Sequence, residues 1–357
     1  MLKFLAFIFV CSALVTADFY PEELKITTWN LLSPRYNFIP WFPMASQFLQ
    51  YIVDAVRYVA IMSNIRLMTD SDVFMFQEVS INAACLTNSS YIIGGGNWEP
   101  LSQTMSELGY QCRISFHDQR HWWKYYDYDT CDKYNSYTPT GNVICVKTTS
   151  FTNIRFESHL LNNGSALAVA LVNYKQTPNV RFVSIHLDSD IQGQRVQEFD
   201  ETFMTIYPST APGTVVVCGD MNTDQEFGSF KHRLDVSGYT DPVQDLMKAI
   251  GQLFLAVPSQ ALGTGWYSNN QHTKNIDFCL VKEGTVIADS ALKVGNGALY
   301  GYPNATRSGV VDFQLWSKYP APQPNRVDSM EPYRTGEAMQ ACGSDHFPYR
   351  FTAHLQR

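Results

Sequence analysis

The sequence predicts an α/β protein in which two β-sheets are stacked and helices cover them. Short apolar segments of strand length recur through the chain, and several of them end in a polar residue. Two longer segments carry apolar residues at helical spacing. No repeat, low-complexity stretch or linker interrupts the sequence of 357 residues. Strands interspersed with helices are typical of a layered domain whose helices pack outside its sheets.

The predicted elements follow one another along most of the chain. Apolar patterning predicts strands at 24–29, 72–76, 142–147, 155–159, 166–174, 180–187, 214–218, 276–281 and 349–355. It predicts helices at 46–68 and 194–206, and Val56 and Val59 lie on the apolar face of the first. Because segment 214–218 reads TVVVC, we expect a strand that is buried on both faces and that ends at Gly219.

The N-terminus has the features of a secretory signal peptide. A short basic start precedes an apolar run at 4–15, and small residues follow it. No later stretch reaches the roughly 18 apolar residues that a membrane helix needs, and we see no apolar tail for a lipid anchor. We therefore expect residues 1–17 to be a signal peptide and residues 18–357 to form the mature domain. The expected protein is a secreted monomer without a transmembrane anchor, and a lysosomal or vacuolar lumen is the alternative location.

Three N-glycosylation motifs fit this compartment. They begin at Asn88, Asn163 and Asn304, and each lies in loop-like sequence. A single motif of three residues occurs often by chance, but three behind a signal peptide predict a glycoprotein.

The chain has eight cysteines, of which Cys11 lies in the predicted signal peptide. Three lie in apolar strand-like segments and are predicted to be buried thiols, whereas four lie in polar or Gly-rich segments. Among those four we expect two disulfides, with the pairing left open. The first group is Cys145, Cys218 and Cys279, and the second is Cys85, Cys112, Cys131 and Cys342.

The net charge of −7 weighs against a module that binds nucleic acid through a basic face. It is compatible with an enzyme that holds only one or two phosphate groups.

Polar residues at the ends of predicted strands form the candidate functional site, because strand ends converge on one rim of a layered fold. Their carboxylates and amides suit a hard cation, and their histidines suit proton transfer. The pattern lacks the thiolate or His-rich cluster that zinc prefers, so Mg²⁺ is the expected ion and Mn²⁺ the alternative. The set is Asn30, Glu78, His186, Asp220, Asn222, Asp277, Asp345 and His346.

Two parts of this set are the most informative. Gly219 gives a tight exit from a buried strand, after which Asp220 and Asn222 project to the same side, two residues apart. Asp277 lies inside an apolar strand, where a buried carboxylate needs a charged or donor partner, and His346 is the expected one. Taken singly, each residue is also compatible with a turn, a helix cap or a buried structural role.

Seven motifs resemble, in order, those of the endonuclease/exonuclease/phosphatase superfamily. This superfamily includes deoxyribonuclease I, apurinic endonucleases, neutral sphingomyelinases, inositol-polyphosphate 5-phosphatases and nocturnin-like deadenylases. The motifs span nearly all of the expected mature chain. They are TWN (28–30), QE (77–78), GN-V-I (141–144), SIHLDS (184–189), GDMN (219–222), NIDF (275–278) and SDH (344–346).

The resemblance implies a four-layer α/β sandwich that catalyses in-line attack of water on a phosphorus ester. It implies that Glu78 holds the metal, with help from Asn30 and Asp345. Asp220 would orient or deprotonate the attacking water, and Asn222 would donate to a phosphate oxygen. These roles agree with the general need to stabilise negative charge on phosphorus.

The same resemblance assigns the proton-transfer groups. Asp277 would hold His346 and keep it protonated, so that the imidazolium stabilises the transition state. His186 occupies a position where deoxyribonucleases and sphingomyelinases carry a histidine, and it would protonate the leaving group.

The substrate depends on two aromatic segments, 33–43 and 117–137, which we expect at the rim of the site. Aromatic residues there would stack on bases, insert at a lipid interface or bind a choline-like cation, or would simply pack. Our first hypothesis is a phosphodiesterase acting on a phospholipid headgroup or small phosphodiester. The alternatives are a deoxyribonuclease-like endonuclease and a secreted binding protein on the same fold. Residues 223–225 lack the nearby cysteine of deoxyribonuclease I, which disfavours the first alternative.

Overall fold

The computed structural model describes twelve parts of the chain. They are residues 23–32, 54–80, 97–117, 140–189, 191–223, 228–241, 265–267, 272–274, 276–293, 344, 346 and 348–355. Asp345, Asn88, Asn304, Cys85, Cys131 and Cys342, the predicted signal peptide, segment 33–43 and all of segment 117–137 except His117 lie outside these parts.

The described elements are strands interspersed with helices, as the sequence predicts. The helices are α1 (Asp54–Leu67), α2 (Trp98–Glu107), α3 (Gln192–Asp200), which continues as a π-helical turn at Glu201–Ile206, and α4 (Gly228–Ser237). The strands are β1 (Glu23–Asn30), β2 (Val73–Ser80), β3 (Tyr110–Phe116), β4 (Thr140–Lys147), β5 (Phe151–Leu160), β6 (Ala166–Tyr174), β7 (Thr177–His186), β8 (Val215–Asp220), β9 (Tyr239–Thr240), β10 (Gly265–Tyr267), β11 (His272–Lys274), β12 (Asp277–Lys282), β13 (Val286–Lys293) and β14 (Tyr349–Leu355).

Twelve of the fourteen described strands form two mixed six-stranded sheets, and β10 and β11 pair with each other separately. The first sheet has the order β13-β14-β1-β2-β4-β3 and the second has the order β5-β6-β7-β8-β12-β9. Within each sheet one central pair is parallel, β1 with β2 and β7 with β8, and the other pairs are antiparallel. The carboxyl ends of β1 and β2 therefore lie side by side, as do those of β7 and β8.

The two sheets pack face to face around one apolar core. The first sheet contributes side chains such as Ile26 and Met75 to it, and the second contributes Val183 and Val217. On its other face the first sheet is covered by α1 and α2, in a second apolar cluster that includes Trp29. Helices α3 and α4 belong to the layer outside the second sheet, where Phe199 of α3 contacts Phe230 of α4. This arrangement confirms the predicted four-layer sandwich.

The described part of the predicted helix 46–68 is amphipathic, but it leaves one residue of the expected apolar face exposed. Tyr58, Ile61 and Ile65 are buried, whereas Val59 is 66% exposed. The prediction was wrong for Val59 because helical periodicity identifies an amphipathic helix better than it fixes the rotation of that helix against its neighbours.

Both disulfides in the described structure correct the cysteine predictions. Cys218 and Cys279 are paired, and so are Cys112 and Cys145. Each bond joins residues that face one another on adjacent antiparallel strands, with Cα atoms 4.1 Å apart. An apolar strand context indicates burial, which is right for three of these residues, but it says nothing about which cysteine lies opposite.

Three strands extend past their predicted carboxyl ends into site residues, and the first is β1, which ends at Asn30. Strand β8 continues through Gly219 to Asp220, and β2 continues through Gln77 and Glu78. The pairing of β2 with β4 shifts between Phe76 and Val79, which marks a β-bulge around Glu78.

Within the described residues, no helix has both the length and the apolar character needed to cross a membrane.

Candidate active site

The two parallel strand pairs bring their carboxyl ends to the same rim of the sandwich. Asn30 ends β1 and pairs with Gln77 of β2, while His186 ends β7 and pairs with Asp220 of β8. The side chain of Asn30 bridges the two sheets by donating from Nδ2 to Asp220 Oδ2 at 2.9 Å. The structure thus brings together residues that lie far apart in the chain, 190 positions in the case of this pair.

Asp220 is the centre of this cluster. Its Oδ2 accepts from Asn30 Nδ2 and lies 3.5 Å from His346 Nε2 and 3.7 Å from His186 Nε2. Its Oδ1 accepts from the backbone N–H of Asn222 at 2.8 Å. The carboxylate is 2% exposed, so these contacts replace most of its hydration.

The backbone around Asp220 explains the glycine and the asparagine of GDMN. A Cβ on Gly219 would lie 1.8 Å from the carbonyl oxygen of Ile185, because β7 passes too close for any side chain. Asn222 adopts a positive φ of 50°, which asparagine tolerates better than most residues. The tight approach places His186 and Asp220 side by side at the end of their strands.

His346 is held from both of its ends. Its Nδ1 lies 2.7 Å from Oδ2 of Asp277, and its backbone carbonyl accepts a hydrogen bond from Trp29 Nε1 at 3.0 Å. Asp277 is fully buried and pairs with Asp220 across β12 and β8. The expectation that His346 accompanies the buried carboxylate is thus met, and a carboxylate on Nδ1 directs Nε2 toward Asp220.

Ser344 ties the SDH segment to the end of β1. Its hydroxyl donates to the carbonyl of Asn30 at 2.7 Å and accepts from the N–H of His346 at 3.2 Å. This fully buried serine therefore fixes the distance between Asn30 and His346.

Glu78 reaches the cluster through the bulge in β2. Its φ is +55°, an uncommon conformation for a residue with a long side chain, and such strain is concentrated at functional sites. Glu78 Oε1 accepts from Asn30 Nδ2 at 2.9 Å and lies 4.0 Å from His186 Nε2. One amide thus holds two carboxylates, those of Glu78 and Asp220, close together.

His186 and Asn222 are in direct contact. Asn222 Nδ2 lies 2.9 Å from His186 Nε2 and donates to the carbonyl of Leu187 at 2.8 Å. The imidazole therefore borders both carboxylates and an amide, in a position where it can exchange a proton with a bound molecule.

The donor set is suited to a divalent cation. Ligand atoms of Glu78, His186 and Asp220 lie within 4.8 Å of one another, and the same holds for Asp220, Asp277 and His346. Magnesium takes one or two carboxylates and keeps its remaining positions for water and phosphate, which Glu78 and Asp220 can satisfy.

Asn30 faces the carboxylates with its nitrogen. Its Oδ1 accepts from the N–H of Leu32 at 3.0 Å, and this hydrogen bond orients the amide. In this orientation Asn30 organises the carboxylates as a donor, and its role as a metal ligand stays a prediction.

A buried glutamate holds the loop that follows His186. Glu198 of α3 accepts from the N–H of Asp188 at 2.7 Å and from Asn163 Nδ2 at 2.5 Å, and Ser165 Oγ donates to it as well. Burial raises the pKa of this carboxyl group, against the effect of these donors. Because the amide nitrogen that would carry a glycan is used in this contact, glycosylation of Asn163 would have to be accommodated beside Glu198. It stays a prediction.

Residues around the site escaped sequence reasoning. Gln77 Nε2 donates to Ser184 Oγ at 3.0 Å and lies 3.1 Å from Thr28 Oγ1, which links the sheets directly beneath the cluster. His117 lies beside His186, with ring centroids 6.3 Å apart. Gln77 and Ser184 lie within the QE and SIHLDS motifs, beside candidate residues, and this position in the sequence could have identified them as part of the site.

The fold is an α/β sandwich, and its strand ends gather carboxylates, amides and imidazoles. This combination is typical of hydrolytic enzymes that act on phosphorus esters. The model of the "Endonuclease/Exonuclease/phosphatase family" matches residues 27–346. The chain therefore belongs to this family, which confirms the resemblance drawn from its motifs. No curated protein matches the chain.

Solved structures share the fold at low sequence identity. The chain is similar to the catalytic domain of human Nocturnin with bound sulfate, at 16% identity and a TM-score of 0.51, with 94% of each chain covered. It is also similar to D. rerio TDP2 complexed with a single-strand DNA product, at 15% identity and a TM-score of 0.52, with 93% of this chain and 99% of that chain covered. A third similar structure is ANGEL2, a 2',3'-cyclic phosphatase, in complex with adenosine-2',3'-vanadate. The identity is 14% and the TM-score is 0.54, with 95% of this chain and 97% of that chain covered.

Proposed function

We propose that this protein is a secreted, divalent-metal-dependent phosphodiesterase that hydrolyses its substrate by in-line attack of water. The observation that carries the proposal is the convergence on Asp220 of an amide and two imidazoles, with Glu78 beside them. Two disulfides in the described residues support an oxidising compartment.

Asp220 acts on the attacking water. Its carboxylate orients the water and accepts a proton as the new P–O bond forms. The buried Asp277 favours the protonated form of His346, whose Nε2 lies near Asp220 and stabilises negative charge on the phosphoryl oxygens. A buried charged pair costs nothing to reorganise during the reaction, because its partners are already in place.

His186 is the residue that we assign to the leaving group. It donates a proton to the leaving oxygen as the old P–O bond breaks, so that the products are a phosphomonoester and an alcohol. Asn222 lies 2.9 Å from this imidazole and provides an amide donor for a phosphate oxygen.

Glu78 is the main residue proposed to hold the metal, with Asn30 and Asp345 as assisting residues. When bound, Mg²⁺ or Mn²⁺ would neutralise charge on the phosphate oxygens and polarise the phosphorus ester. The pair of carboxylates held by Asn30 Nδ2 is the observation that fits such an ion. The site residues themselves position the substrate and move the protons.

The proposed substrate is a phospholipid headgroup or a small phosphodiester. The acidic chain supports this choice over nucleic acid, because a groove that follows a polynucleotide backbone is usually basic. A nuclease is the second candidate, favoured by the similarity to TDP2 with bound DNA product. The presence and mutual contact of the described site residues support an enzyme over a binding protein.

The test is turnover by the purified, secreted protein with Mg²⁺ and with a chelator. The substrates are sphingomyelin vesicles, plasmid DNA, adenosine 2',3'-cyclic phosphate and bis(p-nitrophenyl) phosphate. We expect chelator-sensitive turnover of bis(p-nitrophenyl) phosphate and of sphingomyelin. Cleavage of DNA without cleavage of lipid would move the assignment to a nuclease, and no metal-dependent turnover of any substrate would overturn the proposal.

A further inference from the structure

His117 lies at the point where the first sheet approaches the end of β7. It follows β3 directly, and its backbone N–H donates to the carbonyl of Thr140 on β4 at 3.1 Å. It is the one residue of the aromatic segment 117–137 that the structure describes. Nothing in the proposed mechanism uses it so far.

The imidazole of His117 is fixed by a backbone hydrogen bond. Its Nδ1 accepts from the N–H of Ala166 at 3.1 Å, so in the neutral ring the proton is on Nε2. Asn142 Nδ2 donates to the carbonyl of Ala166 at 2.6 Å. Two side chains of the first sheet thus hold both backbone groups of one residue of the second sheet.

That residue lies level with His186. The register pairs Ala168 of β6 with Ser184 of β7, and two residues further in each antiparallel strand lead to Ala166 and His186. The hydrogen bond to Ala166 therefore fixes His117 relative to the end of the strand that carries His186.

The rings of His117 and His186 meet edge to face. Their centroids are 6.3 Å apart and their planes are inclined by 73°. Burial and the nearby imidazole of His186 lower the pKa of His117 to about 3, so this ring stays neutral near physiological pH. A neutral ring supports the neighbouring imidazole without adding a second positive charge.

We infer that His117 is a positioning residue that holds the imidazole of His186 in the orientation needed to protonate the leaving group. The inference rests on the proposed phosphodiesterase function. His117 does not touch the reacting atoms in this scheme. It fixes the ring that does.

Two substitutions separate this role from a structural one. In His117→Asn the amide Oδ1 replaces Nδ1 as acceptor for the Ala166 N–H, but the ring edge beside His186 is lost. In His117→Phe the ring is retained, but the acceptor is lost. The control is His159→Asn, which replaces a histidine on the exposed strand β5.

The main readout is the dependence of the rate on the leaving group. Nitrophenolate departs readily without a proton, whereas the alkoxide of a lipid or nucleic acid diester needs one. Because general acids contribute about 10²–10⁴-fold, we expect His117→Asn to lower kcat on the alkyl diester by about tenfold and on bis(p-nitrophenyl) phosphate by less than about threefold. KM should change little, and His186→Asn should show the same selectivity more strongly.

Equal losses on both substrates, or a loss that follows a lower Tm, would overturn the inference. If the wild-type protein shows no turnover, the proposed function fails, and ¹⁵N NMR of histidine-labelled protein still tests the contact. The ring-nitrogen signals of His186 should then shift in His117→Asn and stay in place in His159→Asn. Unchanged signals of His186 in His117→Asn would show that His117 does not position it.

Discussion

Asp220 lies between two groups of residues that differ in burial and in the distance between their side chains. On one side Asp277 and His346 are buried, and their side chains are 2.7 Å apart. On the other side Glu78 and His186 are partly exposed, and their nearest atoms are 4.0 Å apart. We call these the closed side and the open side of the site.

The difference shows how one carboxylate can serve two purposes. In the proposed mechanism the closed side acts as a preorganised ion pair, in which Asp277 favours the imidazolium form of His346 before any substrate arrives. In the proposed mechanism the open side, whose side chains are partly exposed, is where the cation and the phosphate group bind. Three single substitutions and the removal of each disulfide test this division, beginning with the residue that both sides share.

Asp220→Asn should have the largest effect. It removes the carboxylate that both imidazoles border and that Asn30 bridges to Glu78, so we expect kcat to fall by about a thousandfold or more. The measurement is steady-state turnover of bis(p-nitrophenyl) phosphate with Mg²⁺. Asp70→Asn is the matched control, because Asp70 pairs with Lys25 and Arg350 at the opposite end of β1. A near-wild-type rate in Asp220→Asn would show that the site is placed wrongly.

Asp277→Asn tests the closed side. The neutral amide no longer favours the imidazolium of His346, and we expect kcat to fall by about a hundredfold with little change in the Mg²⁺ requirement. Kinetics over a series of Mg²⁺ concentrations measure both quantities. A variant that needs much more Mg²⁺ but recovers its full rate would place Asp277 among the metal ligands instead.

Glu78→Gln tests the open side and should give the opposite pattern. Loss of one carboxylate should raise the Mg²⁺ concentration for half-maximal rate by about tenfold or more, and saturating Mg²⁺ should restore part of the rate. Glu107→Gln is the control, since Glu107 forms an exposed ion pair with Arg66 on the helical layer. An unchanged Mg²⁺ requirement would contradict the assignment of Glu78 as the main ligand.

The disulfides provide the smallest expected effect on rate. Cys218–Cys279 lies two residues from Asp220 and from Asp277 along β8 and β12, whereas Cys112–Cys145 joins β3 to β4. Removing either pair by double alanine substitution should cost about 4 kcal/mol of unfolding free energy, because their sequence separations of 61 and 33 differ little on a logarithmic scale.

At a temperature where both variants are folded, only loss of Cys218–Cys279 should lower kcat, by a few-fold, because the distance between Asp220 and Asp277 would then be less tightly fixed. Chemical denaturation and turnover measure the two quantities. Equal activity in both variants would show that the strand register alone holds the two aspartates.

Much of the fold was predictable because apolar periodicity reports burial directly. The strands that carry Asn30, Asp220 and Asp277 were all predicted, since each is an apolar segment of strand length. The predicted burial of Val59 was wrong, because the rotation of α1 about its axis depends on the sheet beneath the helix. The cysteine pairing was wrong because it depends on which residues face one another across neighbouring strands.

The candidate site was predictable to the extent that its residues follow strands. Asn30, Glu78, His186 and Asp220 stand at or near strand ends, where side chains of separate strands converge. His117 was expected only as the first residue of a segment at the rim of the site, because its contact with His186 depends on the packing of β3 beside β6 and not on any local pattern. Asp345 lies outside the described residues, so its role stays a prediction.

The amino-acid sequence alone determined the family, the layered α/β class and the chemical types of the site residues, because motifs and periodicity are local properties. Only the tertiary structure decided that Asp220 is shared by a closed and an open side, that Asn30 bridges the two sheets and that the cysteines pair across strands. These features arise between residues up to 190 positions apart. Contacts at such separations depend on strand order and register, which no short segment encodes.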